Sequence, residues 1–111
     1  MDKLDRYRHF IQQIIDEYSQ YTPAYGEVEL ERIIDTTHDH YQLLSVGWNK
    51  LERIHGSILH LDIRDNKIWI QYDGTEEGIA NRLVAYGVPH EDIVLAFHPA
   101  YKRPYTTFAV G

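Results

Sequence analysis

Four runs between residues 27 and 72 are rich in apolar side chains, and in three of them these alternate with polar ones; this period of two constrains the fold more than any other feature. The runs begin with Val28 and Leu30 set among glutamates, and continue through Tyr41 to Asn49, Ile54 to Arg64 and Ile68 to Tyr72. Successive side chains of a β-strand point to opposite faces, so each run predicts a strand. The middle of the chain is therefore predicted to be an antiparallel meander.

Turn-forming residues separate the predicted strands. The segment from Asp35 to Asp39 is polar and predicts a turn. Asp65 and Asn66 tolerate a positive φ, which a tight β-hairpin requires. The third and fourth strands are therefore expected to form a hairpin.

A helix is predicted at each side of the meander. Apolar residues three and four apart indicate an N-terminal helix of about five turns. Pro23 and Gly26 would end this helix. A second, short helix is predicted from turn and N-cap chemistry at Asp73, Gly74 and Thr75, with Glu76 and Glu77 in its first turn and Gly87 closing it. The apolar stripes of the two helices are Leu4, Tyr7, Ile11, Ile14, Ile15 and Tyr18, and then Ile79, Ala80, Leu83 and Val84.

The end of the chain predicts one more strand at Ile93 to Phe97, and then an irregular tail around Pro99 and Pro104. We expect a single α+β domain over residues 1–111, with an N-terminal helix, an antiparallel sheet, a second helix, a C-terminal strand and the tail.

Charge and cysteine content limit the possible functions. The formal net charge is -6, from 17 acidic and 11 basic side chains, and a surface of that sign repels duplex DNA unless its cations cluster. With no cysteine, the chain has neither disulfides nor thiolate ligands, which fits a reducing compartment. No apolar run is long enough to span a bilayer, so we expect a cytoplasmic protein.

His38 and His40, with Asp35 and Asp39 nearby, are the sharpest candidate for a metal site. Two histidines two apart on a strand would point the same way and could share an ion. The alternative is a polar, solvated turn, and a third ligand at a fitting spacing is not visible. We expect no bound metal and no cofactor.

His60 and Asp62 share one face of a predicted strand and could form an acid and base pair. No nucleophile accompanies them, which favours hydrogen bonding between strands and predicts no catalytic residue.

The candidate contact residues are aromatic and basic. Large aromatics on half-covered strands are typical of protein interfaces. The acid-free tail could serve as a partner-binding segment, could hold single-stranded nucleic acid by stacking, or could pack on its own domain. The predicted partner-binding residues are Trp48, Trp69, Tyr101, Lys102, Arg103, Tyr105 and Phe108.

Several short segments, in order along the chain, resemble the XisI family, the fdxN element excision controlling factors. They are Tyr25-Gly26-Glu27-Val28, Asp39-His40-Tyr41-Gln42-Leu43-Leu44, Val46-Gly47-Trp48, Arg53-Ile54-His55-Gly56, Lys67-Ile68-Trp69-Ile70-Gln71, Asp73-Gly74-Thr75-Glu76, Gly87-Val88-Pro89, Asp92-Ile93-Val94 and Phe108-Ala109-Val110-Gly111.

The resemblance implies an accessory factor in the programmed excision of a DNA element. Its implied partners are a companion protein, XisH, and a site-specific recombinase, XisF. The sequence agrees that the chain does not cut DNA itself, because a recombinase needs a nucleophile within an arginine-rich phosphate-binding site.

We therefore expect a non-enzymatic binding module that docks an XisH-like companion. One alternative is a DNA-binding recombination directionality factor that uses Lys102 and Arg103, and another is a metal-dependent hydrolase built on His38 and His40. A homodimer is a further alternative, because a second copy of the chain could cover an exposed sheet face or pair with a free sheet edge.

Overall fold

Two α-helices and five β-strands make up the regular structure of the computed structural model, which describes residues 2–21 and 26–111. The elements are α1 Lys3–Tyr18, β1 Glu27–Asp35, β2 His40–Asn49, β3 Glu52–Arg64, β4 Lys67–Asp73, α2 Ile79–Ala85 and β5 Ile93–Leu95, with short 3₁₀ turns at His90–Asp92 and Arg103–Tyr105.

The five strands form one sheet in the order β1-β2-β3-β4-β5. The first four pair antiparallel with their sequence neighbours, which confirms the predicted meander and the α+β class. The last strand differs from the prediction in length, since it stops at Leu95, and it pairs parallel to β4. Because α2 carries the chain back along the sheet between these strands, their parallel pairing follows from the connection.

Helix α1 begins where the sequence indicates and ends earlier than expected. Asp2 caps it, with its carboxylate accepting the Asp5 backbone N–H at 2.8 Å. The helix ends at Tyr18, well before Gly26, and Pro23 lies outside the described residues. The Tyr7 hydroxyl donates to the Asp92 carboxylate, which ties the helix to the segment before β5.

Helix α2 begins later than predicted, so the expected place of Glu76 and Glu77 in its first turn is wrong. The Asp73 carboxylate accepts hydrogen bonds from the backbone N–H of Thr75 at 2.9 Å and of Ile79 at 2.8 Å. These bonds hold the intervening residues in a loop, and Gly78, with φ of 80°, marks its end. The first turn of α2 is thus capped by a strand residue.

The two faces of the sheet have different environments. One face, here called the helix face, packs against α1 and α2 and carries the fully buried Leu43, Leu59 and Leu61. The other side of the sheet, here called the open face, carries His40, Val46 and Trp48 of β2. Paired residues of neighbouring strands share a face, so the residues of β1 and β3 that pair with these three lie on the open face as well. The open face is the part of the sheet on which predicted contact residues can reach solvent.

Candidate functional site

Trp48 lies on the open face near the end of β2, and half of its surface is exposed. It pairs with Glu27 of β1 and Arg53 of β3, and the Arg53 guanidinium lies 5.3 Å from the centre of its ring. Leu44 and Val46 precede it on the same face and are half-buried. The result is an aromatic side chain beside apolar neighbours, with an acid on one side and a base on the other.

Tyr41, the other large aromatic of β2, faces the opposite way and belongs to the core, since only 1% of its surface is exposed. Its hydroxyl donates to the Asp39 carboxylate at 2.7 Å, and Arg8 of α1 donates to the same carboxylate at 2.8 Å. The hydrogen bond from Arg8 holds the pKa of Asp39 below its usual range. This network fixes α1 to the β1–β2 turn, and spacing along the sequence did not reveal it.

Asp62 is the centre of a polar cluster on the open face, although only 8% of it is exposed. Its carboxylate makes hydrogen bonds with ring nitrogens of His40 at 2.9 Å and His60 at 3.1 Å, and it accepts one from the Gln71 amide at 3.1 Å. The predicted hydrogen bonding between strands is found for Asp62, which contacts His40 of β2 and Gln71 of β4, whereas its bond with His60 lies within β3. The hydrogen bond to Asp62 raises the pKa of His40 above its usual value.

The metal hypothesis for His38 and His40 assumed that both lie on one strand, and that premise is wrong. His38 lies in the turn before β2, where its ring contacts Asp35 at 2.9 Å, while His40 contacts Asp62. The backbone N–H of His38 also donates to Asp35 and, as the main cause, lowers the pKa of that carboxyl. Within residues 2–21 and 26–111, no three histidine, cysteine or acidic side chains are grouped to hold a metal ion.

Trp69 also lies on the open face, where the tail of the chain covers it in part. Its indole N–H donates to the Arg64 carbonyl at 3.0 Å, and the guanidinium groups of Arg64 and Arg103 lie 4.5 and 5.7 Å from its ring centre. Its neighbour on β5, Val94, is fully buried and bridges to Ala109 of the tail. Trp69 therefore supports the packing of the tail.

The predicted tail residues divide into two groups. Arg103 donates to the carbonyl of His98 at 3.0 Å, and Phe108 stacks on His90 with ring centres 4.7 Å apart. Tyr101 and Tyr105 are 72% and 89% exposed, and Lys102 is exposed as well. The partner-binding role of all seven residues stays a prediction, and Trp48, Tyr101, Lys102 and Tyr105 are the ones that solvent reaches most freely.

Arg103 is expected to stabilise the fold, and Lys102 is not. The substitution Arg103→Ala removes a charged donor from the His98 carbonyl and the cation over Trp69, so we expect the free energy of unfolding to fall by about 1–2 kcal/mol. Urea denaturation followed by tryptophan fluorescence measures this change. The control Lys102→Ala alters an exposed neighbour, and equal stability of the two variants would contradict the assignment.

The chain thus has a small α+β fold in which one sheet face is left partly open, and a family model described as "XisI protein" matches residues 1–110. The chain belongs to the XisI family. Among curated proteins, none matches it. In the described residues, no helix is both long and apolar enough to cross a membrane.

Two crystal structures, both from Anabaena variabilis ATCC 29413, are similar to the chain. A XisI-like protein superposes with a TM-score of 0.92 at 40% sequence identity, covering 97% of this chain and 99% of its own. The fdxN element excision controlling factor XisI superposes with a TM-score of 0.88, also at 40% identity, covering 99% and 100%. The predicted family and fold are confirmed.

Proposed function

We propose that the chain is a non-catalytic accessory factor that controls the excision of a DNA element by binding a companion protein. The family membership and the similarity to an excision controlling factor support the role in excision. The observation that carries the binding mechanism is the exposure of Trp48 on the open face, beside the half-buried Leu44 and Val46. Tryptophan is enriched among the residues that dominate protein–protein affinity.

The charge of the same surface supports a protein partner over DNA. On β1, Glu27, Glu29 and Glu31 are exposed on the open face next to Trp48, and the chain as a whole carries a net charge of -6. Phosphate groups are repelled by such a row. In the tail, Arg103 is already bound to backbone carbonyls, which leaves fewer free cations for the directionality-factor alternative.

The polar cluster of the open face supports a non-catalytic role. The Asp62 carboxylate is engaged by His40, His60 and Gln71, and such mutual hydrogen bonding keeps a nearly buried carboxylate satisfied. The cluster therefore has a structural task that explains its composition.

The test measures the affinity of the purified chain for the XisH-like protein encoded by the same organism, with and without nuclease treatment. The substitution Trp48→Ala is expected to cost about 2 kcal/mol of binding, a loss of about 30-fold. Phe97→Ala is the matched control, because Phe97 is 47% exposed against 50% for Trp48 but lies outside the open face of β1 to β3.

Two results would overturn this mechanism. If the wild-type chain does not bind the XisH-like protein, that protein is not its companion and the proposed mechanism fails. Binding that disappears after nuclease treatment, with DNA recovered before it, would instead make the chain a DNA-binding directionality factor, and Lys102→Ala would then weaken DNA affinity in a salt-dependent way.

A further inference from the structure

The outer edge of β1 is a long strand edge without a partner. Glu27–Asp35 pairs with β2 over nine consecutive residues with no shift in register. Its other side has no neighbouring strand in the part of the chain that the structure describes. Such an edge presents a row of backbone N–H and C=O groups that can template another strand.

The opposite edge of the same sheet, formed by β5, is protected. The two edges of the sheet therefore differ, and the β1 edge is the exposed one. Strand β5 has three residues, and the tail lies over it, with the Ala109 N–H donating to the Ile93 carbonyl at 2.8 Å. The adjoining Ala96 N–H donates to the Ile70 carbonyl of β4 at 2.9 Å. Natural sheets commonly blunt their edges by shortening them, covering them or placing charged side chains on them, and in the described residues β1 shows only the charged side chains.

Apolar side chains on β1 are also left uncovered. Ile33 is 45% exposed and Ile34 is 37% exposed, and successive strand residues lie on opposite faces. A strand added beside β1 would cover both isoleucines at once, whereas a helix packed on one face would cover one of them. The exposure of neighbouring apolar residues on both faces therefore favours an extended occupant.

The charge pattern of β1 disfavours antiparallel pairing with a second copy of the same strand in its central registers. In an antiparallel pair centred on Glu31, that residue opposes its own copy and Glu27 opposes Asp35. Shifting the centre to residue 30 opposes Glu29 to Glu31, and shifting it to residue 32 opposes Glu29 to Asp35 and Arg32 to itself. Like charges directly opposite each other destabilise strand pairing.

We propose that the outer edge of β1 binds an extended segment of a partner protein as a sixth strand, in which lysine or arginine alternates with apolar residues. The basic side chains face Glu27, Glu29 and Glu31 on the open face, and the apolar ones lie beside Val28 and Leu30 on the helix face. The inference rests on the proposed function in one respect, that the chain works through a protein partner, and it names where and by what chemistry the partner is held.

The probe is a labelled nine-residue peptide in which lysine alternates with valine, and its binding to the intact protein is measured by fluorescence anisotropy. We expect binding that weakens as salt is added, and slower hydrogen exchange at the amides of β1 when the peptide is present. A peptide with glutamate in place of lysine, and one of the same composition with its lysines clustered, are expected not to bind.

Two N-methylated peptides separate strand pairing from simple charge attraction. Alternate N–H groups of an added strand face β1, so methylating one alternating set abolishes binding while methylating the other set preserves it. If both methylated peptides bind, or if neither does, the peptide is not held as a strand and the proposal fails.

On the protein side, the double substitution Glu29→Lys and Glu31→Lys is expected to weaken peptide binding by about tenfold or more. Glu76→Lys with Glu91→Lys is the matched control, because those glutamates are exposed and lie in the loops on either side of α2, away from β1. Unchanged affinity of the β1 variant overturns the proposal even if the peptide binds the wild type.

The XisH-like protein then separates this inference from the proposed function. If the wild type and the β1 variant bind it equally, the edge is not the site although the companion is confirmed. If the β1 edge pairs with the basic peptide but the wild type does not bind the XisH-like protein, the proposed companion is wrong and the edge assignment stands.

Discussion

Alanine at position 47 is expected to lower the free energy of unfolding by about 2–3 kcal/mol, because a side chain there would force two strands apart. A Cβ on Gly47 would lie 2.0 Å from the carbonyl oxygen of Glu27 and 2.8 Å from the Cα of Val28. Both are backbone atoms of β1, so no side chain can move to relieve the contact. The change is measured by urea denaturation followed by circular dichroism.

The control is Gly56→Ala, in the partner strand of the same hairpin, where an added Cβ meets no atom within 4 Å. That variant is expected to stay within about 0.5 kcal/mol of the wild type. Equal stability of Gly47→Ala and Gly56→Ala would show that β1 can separate from β2 at little cost.

The substitution Leu61→Ala is expected to lower the free energy of unfolding by about 3–4 kcal/mol. Leu61 has no exposed surface and lies in the second half of β3, in the core shared with α1. Its removal leaves a cavity that surrounding strands cannot fill, because they are held by hydrogen bonds on both sides of β3.

Leu51→Ala removes the same atoms from the β2–β3 hairpin loop, where Leu51 is 97% exposed, and is expected to change stability by less than about 0.5 kcal/mol. Thermal unfolding of both variants, at one protein concentration, gives the comparison. A Leu61→Ala variant as stable as Leu51→Ala would mean that the core around β3 is not packed as described.

The antiparallel strands could be predicted from the sequence because their signals are local. Asp65 and Asn66 adopt φ angles of 54° and 63°, as the hairpin between β3 and β4 requires. The alternation of Leu59, Leu61 and Ile63 places all three in the core. Side-chain period and turn chemistry are both contained in a few neighbouring residues, so they can be read without the fold.

Features that depend on distant residues were predicted less well. The three residues of β5 are too few to show a period, so neither its end nor its parallel pairing could be read. The start of α2 depends on Asp73, whose carboxylate accepts the N–H of Ile79, the first helical residue, six positions further along the chain. In the tail, nothing in the spacing indicates that Arg103 reaches back to the carbonyls of Ala96 and His98.

The candidate site was predictable only as a set of residue types. Trp48 and Trp69 both lie on the open face, yet Trp48 is half exposed and Trp69 is partly covered by Arg103 and the tail. The difference arises because the tail reaches only the β4–β5 side of the sheet. The sequence likewise did not indicate that β1 is an edge strand, because this depends on the order of the strands in the sheet.

The bond between Tyr7 and Asp92 joins residues 85 apart and imposes an order on folding during synthesis. The apolar stripe of α1 leaves the ribosome before any of the five strands, but the surface that buries it includes Ile93 of β5. Contacts between distant parts of a chain form only after both parts exist. Helix α1 can therefore be fully packed only after β5 has been made, and until then its isoleucines are covered by an incomplete sheet.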